Sequence, residues 1–345
     1  MGWRSATGVL LLGVFIGGLW LIHRFSRKEA TVVGPSERSP IVRPVGNEKS
    51  AAFVFSESRQ CAECHAEIYD EWQNDEHATA WTGKNFQAFT ENYGRVECLS
   101  CHAPRPILEV GLNKVAELRN DRREEGVGCI TCHVKAGAVY GPNGGAGGCK
   151  AQAEPALKTS QACFPCHSTH DLFNEYLTTD ASKNGVTCQA CHMDKLRRPS
   201  VAGGAVRDVR RHFFRGGRDL GTLQEALILR VKVENGAATV AVTNRGAAHG
   251  VPGEINNRRL RCVTVVLNPE GQEVRAFTPV IFQAPPRLQR GKIKSTQLQY
   301  GETKTLTYPL PIAHGRVETV LEFQLEWFPT AESEFVTVHK SEDDF

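Results

Sequence analysis

The apolar positions along this chain follow three different rules. Residues 6–22, ATGVLLLGVFIGGLWLI, contain no charged side chain, which is the short end of a spanning helix and also within the range of a signal peptide. No small-x-small cleavage pattern follows at once, so residues 1–23 read as a transmembrane signal-anchor. Residues 24–50, with Gly34, Pro35, Pro40, Pro44 and Gly46 among mixed charges, read as a linker. From 51 to 215 apolar residues recur only in short helical patterns. A helix is predicted over 66–75, where Ile68 and Trp72 share a face, with others over 113–125 and 171–177. The run GPNGGAGG at 141–148 cannot hold regular structure and reads as a surface loop.

Beyond residue 222 the period becomes two. LILRVKVENGAATVAVTN, RLRCVTVVLNPEGQEVRAF, TKTLTYPL and GRVETVLEFQLEWF alternate β-branched with polar residues, and the pairs Asn235-Gly236 and Glu270-Gly271 separate them as turns. An antiparallel β-sandwich over 222–340 is predicted. The fold class is thus a mainly α or irregular domain over 51–215, then a β-sandwich, behind an N-terminal anchor. At 345 residues there is room for two ordinary domains. A net charge of +3 with no basic, aromatic-interleaved stripe gives no reason to expect nucleic acid as a partner.

The chemistry lies in the cysteines. CAECH, CLSCH, CITCH, CFPCH and CQACH stand at 61–65, 98–102, 129–133, 163–167 and 188–192 and consume ten of the twelve cysteines. Zinc sites and thiol redox centres also use Cys-x-x-Cys, but neither needs a histidine directly after the second cysteine every time. A covalently held haem does, because that imidazole is the proximal iron ligand. Five c-type haems are expected, attached at Cys61 and Cys64, Cys98 and Cys101, Cys129 and Cys132, Cys163 and Cys166, and Cys188 and Cys191. Their proximal ligands are then His65, His102, His133, His167 and His192. The motifs recur at intervals of 37, 31, 34 and 25 residues, so the haems must be close neighbours. The region has too few apolar side chains for an ordinary core, and porphyrins would fill it.

Seven histidines remain. His77 follows the first predicted helix, His170 sits three residues past a proximal ligand and is placed to reach a neighbouring iron, and His212 lies among Arg210, Arg211 and Arg215, which suit haem propionates. With His249, in a loop at the edge of the sandwich, these are the candidate distal ligands. His314, His339 and His23 are weaker candidates, and Met193 suits packing against porphyrin. Cys262 reads as a buried thiol in a strand; Cys149 has no assigned role. Four strong candidates for five irons leave one iron to a less favoured ligand or open.

The stretch CAECHAEIYDEWQNDEHATAW resembles the opening of the cytochrome c-554 type of multihaem cytochromes c. CQACHMD followed by RRHFFRGG resembles the end of haem domains in that group, and NRGAAHGVPG resembles the loop heading their appended β domain. The resemblance covers roughly 55–265. It implies closely stacked haems with mostly two histidine ligands, His77 and His212 as distal ligands, and His249 with them.

The function expected on this basis is a membrane-anchored pentahaem cytochrome carrying single electrons between a membrane or periplasmic donor and a redox partner. Haem attachment to this motif takes place outside the cytoplasm, so a single-pass protein of the cytoplasmic membrane is expected, its haem domain on the periplasmic side. The charges Arg4, Arg24, Arg27 and Lys28 taken alone point the other way. Its partners would be a redox protein or membrane electron-transfer complex, and the membrane through the N-terminal helix. The alternative is an oxidoreductase acting on a small nitrogen or sulphur compound at one five-coordinate haem.

Overall fold

The structure, a computed structural model, describes residues 55–345 apart from 146, 171, 254–257, 285–293 and 326–333; the His170 side chain also lies outside the description. Residues 52–345 form one compact unit.

The first part is built from short helices and loops wrapped around a large cavity. All five motifs begin or form a helical turn: Arg59–Ala62, Val96–His102, Cys129–His133, Phe164–His167 and Cys188–His192. A helical turn brings the two motif cysteines and the histidine to one side of the backbone. Among the described residues the longest α-helix is Ala66–Gln73, which buries Trp72 and bonds its indole N–H to the Val127 carbonyl at 2.8 Å. The helix predicted over 113–125 does not form, apart from a single 3-10 turn at Arg123–Glu125. Its main chain bonds outward instead, Ala116 N–H to Pro165 O and Arg119 N–H to Ala103 O. Only Ala116 and Arg119 are buried there, and both are held by these bonds to other segments. A hairpin, Lys195–Pro199 with Val206–Arg210, closes the region.

The second part is two antiparallel sheets. One has the order Thr303–Pro309, Ala237–Asn244, Leu227–Glu234; in the other, Leu260–Leu267 and Phe335–Asp344 flank Arg316–Gln324, and Glu273–Ala276 and Val280–Phe282 continue along the far side of Leu260–Leu267. Asn235 and Gly236 both have positive φ, 51° and 70°, as a two-residue hairpin with right-handed twist requires. Leu227, Val240, Val242, Leu260, Leu321 and Phe323 form the core, with Cys262 buried among them, its thiol pushed up to about 11 by burial. The last strand, Phe335–Asp344, ends in SEDD and reads in sequence as an exposed tail. Cross-strand pairs, Arg316 to Asp344 at 2.7 Å and Lys340 to Glu318 at 3.3 Å, place those charges on its outer face.

One expectation is corrected. A membrane-spanning helix needs about 20 apolar residues, and among the described residues no helix is long and apolar enough to cross a membrane; the longest has eight residues. The expected signal-anchor over 1–23 and the linker over 24–50 lie outside the described residues. The N-terminal anchor, attachment through it and single-pass placement in the cytoplasmic membrane are accordingly withdrawn.

The helix Leu220–Ala226 joins the two parts. Asp219 caps it, accepting from the Thr222 N–H at 2.7 Å and hydroxyl at 2.6 Å, and these bonds from Thr222 hold its carboxyl below the ordinary value. Asp219→Ala is expected to lower unfolding free energy by about 1 kcal/mol in denaturant titrations at neutral pH. Because the folded-state pKa is depressed, this contribution is present above the ordinary carboxylate pKa and disappears as pH falls through the folded value. Wild type and variant should therefore converge in acid.

Candidate functional site

All five motifs line one cavity of about 2940 Å³, several times the roughly 300–1,000 Å³ of an ordinary small-molecule site. Motif cysteines meet in pairs across it; their free thiols stand where thioether sulphurs stand in a haem-loaded chain. The neighbouring Cys129 and burial push the Cys61 thiol up, and Cys188 and Cys101 act in the same way on Cys163 and Cys166. Cys132 acts electrostatically on both Cys163 and Cys166. Every motif therefore has another beside it.

The imidazoles are arranged more tellingly. His77 faces His167 with ring centroids 6.3 Å apart, His212 faces His133 at 6.1 Å, and His249 faces His192 at 6.3 Å. These rings are too far apart to touch. Two metal–nitrogen bonds of about 2.0–2.1 Å, the length usual for imidazole on a first-row metal, plus half a ring at each end, span that gap. Each pair joins one motif histidine to one non-motif histidine, as an iron with proximal and distal ligands requires. Among the described residues no three or more of His, Cys, Asp and Glu gather as a bare metal site would gather them. The donor set and the cavity thus fit c-type haem.

Ring tautomers suit the same purpose. The Nδ1 of His65, His102 and His133 lies 2.6, 2.7 and 2.8 Å from the carbonyls of Ser200, Ala80 and Tyr140. That of His192 meets the Arg215 carbonyl, and those of His212 and His249 meet Arg210 and Gly250 at 3.0 and 2.9 Å. A carbonyl only accepts, so Nδ1 carries the proton and Nε2 is free to bind iron. Burial pushes His102, His133 and His249 below the ordinary histidine value and His212 down to about 4, keeping the rings neutral.

The distal candidates come from three places. His77 follows the helix after the first motif, His212 follows the hairpin after the fifth, and His249 is carried by the β region. The His249 loop is held by Glu175, whose carboxylate accepts from the Gly250 N–H at 2.9 Å. The side chain of His170 is not described. His314 is exposed, and His339 meets the Leu227 carbonyl at 2.8 Å within the β region. Cys149 and Cys262 are not joined to each other, and Cys149 lies on the cavity wall with the glycine loop. Arginines expected to face propionates hold protein instead. Arg210 bonds the Gln189 and Met193 carbonyls, Arg211 pairs with Asp194 and Glu71, and Arg215 pairs with Asp194, Asp219 and Glu225.

Three site residues escaped the sequence reading. Asp75 and Glu71, one turn apart, bind the segments that carry the distal histidines; the available signal was a carboxylate two positions before His77. Phe86, stacked on His102 at 3.7 Å, was also missed.

Residues 60–134 match the family model described as cytochrome c554 and c-prime. Among solved structures, the penta-heme cytochrome c552 from Thermochromatium tepidum is similar, with TM-score 0.62 and 20% identity over 84% of this chain and 99% of that one. The superoxide reductase from Nanoarchaeum equitans aligns at TM-score 0.22 and 13% identity over 36% of this chain and 94% of its own, too weak a likeness to build on. No curated protein matches.

Gly126 is pressed against the His77 main chain. A Cβ there would lie 2.5 Å from the His77 carbonyl oxygen and 3.1 Å from that of Ala78, and φ is +58°. Gly126→Ala is expected to lower Tm far more than Gly185→Ala, where φ is +76° but nothing lies within 4 Å. Both share the strain of a positive φ, of order 1–3 kcal/mol, and only the first adds a collision. Equal losses in parallel thermal melts would mean that the close approach to His77 is absorbed without consequence.

Proposed function

Since the chain carries a multihaem cytochrome c domain of the cytochrome c554 type, we propose that it passes single electrons, through five covalently attached c-type haems, to or from a redox protein. The three facing imidazole pairs carry this reading. The haems supply one-electron ferrous–ferric chemistry when bound. The chain's residues do the rest. Cys61 and Cys64, Cys98 and Cys101, Cys129 and Cys132, Cys163 and Cys166, and Cys188 and Cys191 fix them. His65, His102, His133, His167 and His192 bind from the proximal side, and His77, His212 and His249 from the distal side. Main-chain carbonyls hold most of the rings in the iron-binding tautomer, so little has to move when charge changes. The contacts among motif cysteines set neighbouring sites side by side. The count of five is supported by the five motifs and by the similarity to a structure named as a penta-heme cytochrome. Membrane anchoring forms no part of this function.

A second reading has its own observation. Of the spare histidines, three are taken by His133, His167 and His192, one is exposed and one is bonded inside the β region. The side chains of His23 and His170 lie outside the description, and among the described residues no spare histidine faces His65 or His102, which leaves room for a five-coordinate haem acting on a small nitrogen or sulphur compound.

Intact mass of the purified protein should show five attached haems. His212→Ala and His249→Ala should each convert one haem from low to high spin without changing that mass. If neither variant alters the spectrum, the distal assignments are wrong. Cyanide or nitric oxide binding rapidly to one wild-type haem in five would select the second reading; no binding would select the carrier.

A further inference from the structure

Seven imidazoles at the site have a defined Nδ1 partner, and six of those partners are main-chain carbonyls. His77 is the exception. Its Nδ1 lies 2.9 Å from Oδ1 of Asp75, which also accepts the His77 backbone N–H at 2.9 Å. The other oxygen, Oδ2, accepts the Phe214 N–H at 2.8 Å. Asp75 is 4% exposed and belongs to no described ion pair with Lys or Arg; its one close charge partner is the His77 ring. Three hydrogen bonds hold this carboxylate in one orientation.

We propose that Asp75 is a positioning residue that makes His77 the strongest electron donor among the distal histidines and so gives the haem of Cys163, Cys166 and His167 the lowest potential of the three bis-histidine sites. This rests on His77 being the sixth ligand of that haem. A carboxylate draws the Nδ1 proton further than a neutral carbonyl does, leaves more negative charge on the ring, and raises the basicity of Nε2. A more basic ligand stabilises ferric over ferrous iron. The site lies where it can control flow, because Cys163, Cys166 and His167 line one cavity with residues of all four other motifs. Of the three bis-histidine haems, this one would be the hardest to reduce.

Asp75 also pins the segment carrying His212, so a purely structural role must be told apart. Glu71 provides the comparison. Four residues earlier, on the helix that Asp75 follows, it accepts the His212 N–H at 2.9 Å and pairs with Arg198, but touches no imidazole nitrogen. The experiment is a spectroelectrochemical titration of the holoprotein, with low-temperature electron paramagnetic resonance to follow each haem, on wild type, Asp75→Asn, Glu71→Gln and His77→Ala. Asp75→Asn should raise the midpoint potential of one low-spin haem and leave it six-coordinate. It should be the same haem that His77→Ala turns high-spin. Glu71→Gln should leave that potential unchanged. Asp75→Asn and Glu71→Gln shifting the same haem, that of His133 and His212, would reduce Asp75 to a structural pin and overturn the proposal. So would an unshifted potential in Asp75→Asn while His77→Ala still creates a high-spin haem. If His77→Ala changes no haem, it is the distal assignment that fails.

Discussion

Two imidazole rings must face each other across a gap just wide enough for one iron, and three times this chain brings together residues far apart in sequence to achieve it. The constraint is narrow. A ring a further ångström away cannot bind, and one that touches its partner leaves no space. Little apolar packing is available to enforce it, because both hydrophobic clusters among the described residues belong to the β region and its adjoining helix. Buried residues of the first part, such as Trp72, Phe86, Ile107 and Phe173, are dispersed around the cavity wall. The polypeptide encloses its interior more than it fills it, so much of the region's stability must come from the groups it holds, as in metal-dependent domains.

Contacts that cross between them tie two regions of different character into one compact unit. His249 is in the β region, yet its ring faces a motif histidine, and Glu175 of the first part holds the neighbouring Gly250 N–H. Arg215 ties the segment after the fifth motif to Asp219 and Glu225 at the connecting helix. The β-sandwich has a complete core of its own and can act as a rigid mount. A loop braced by such a sheet fixes an imidazole better than a free loop in a region short of core. That gives the sandwich a task in holding the His249 ring opposite His192.

The sequence was most legible where a single local rule applies. The five motifs are covalent chemistry written in consecutive residues, and the hairpin at Asn235-Gly236 follows from a period of two and a turn that needs positive φ. Legibility fell where partners are distant. Residues 113–125 have helical composition, but their main-chain groups are claimed by Pro165 and Ala103, and no local pattern announces this. Phe335–Asp344 hid its strand because its charges are satisfied across the sheet, Asp344 by Arg316 and Lys340 by Glu318. His77, His212 and His249 could be named as candidate ligands, whereas which motif histidine each one faces is a property of the fold. Asp75 was invisible as a site residue because a carboxylate in DEWQND reads as a solvated helix end until its two oxygens are seen to be occupied.

If axial ligation is the same at several sites, ligand identity cannot set one haem apart from another. Differences in potential must then come from what the imidazoles lean on and from nearby charge. At most of these rings the support is a main-chain carbonyl, which every residue possesses and no side-chain substitution can remove. Such supports fix geometry and leave the electronics uniform. A buried carboxylate behind one ring is the opposite kind of support, specific to a side chain and carrying charge. In this chain the segment just past the helix after the first motif provides that carboxylate to His77, whose ring faces His167 of the fourth, so under the proposed assignment the residues that follow one motif help to determine the behaviour of the haem at another.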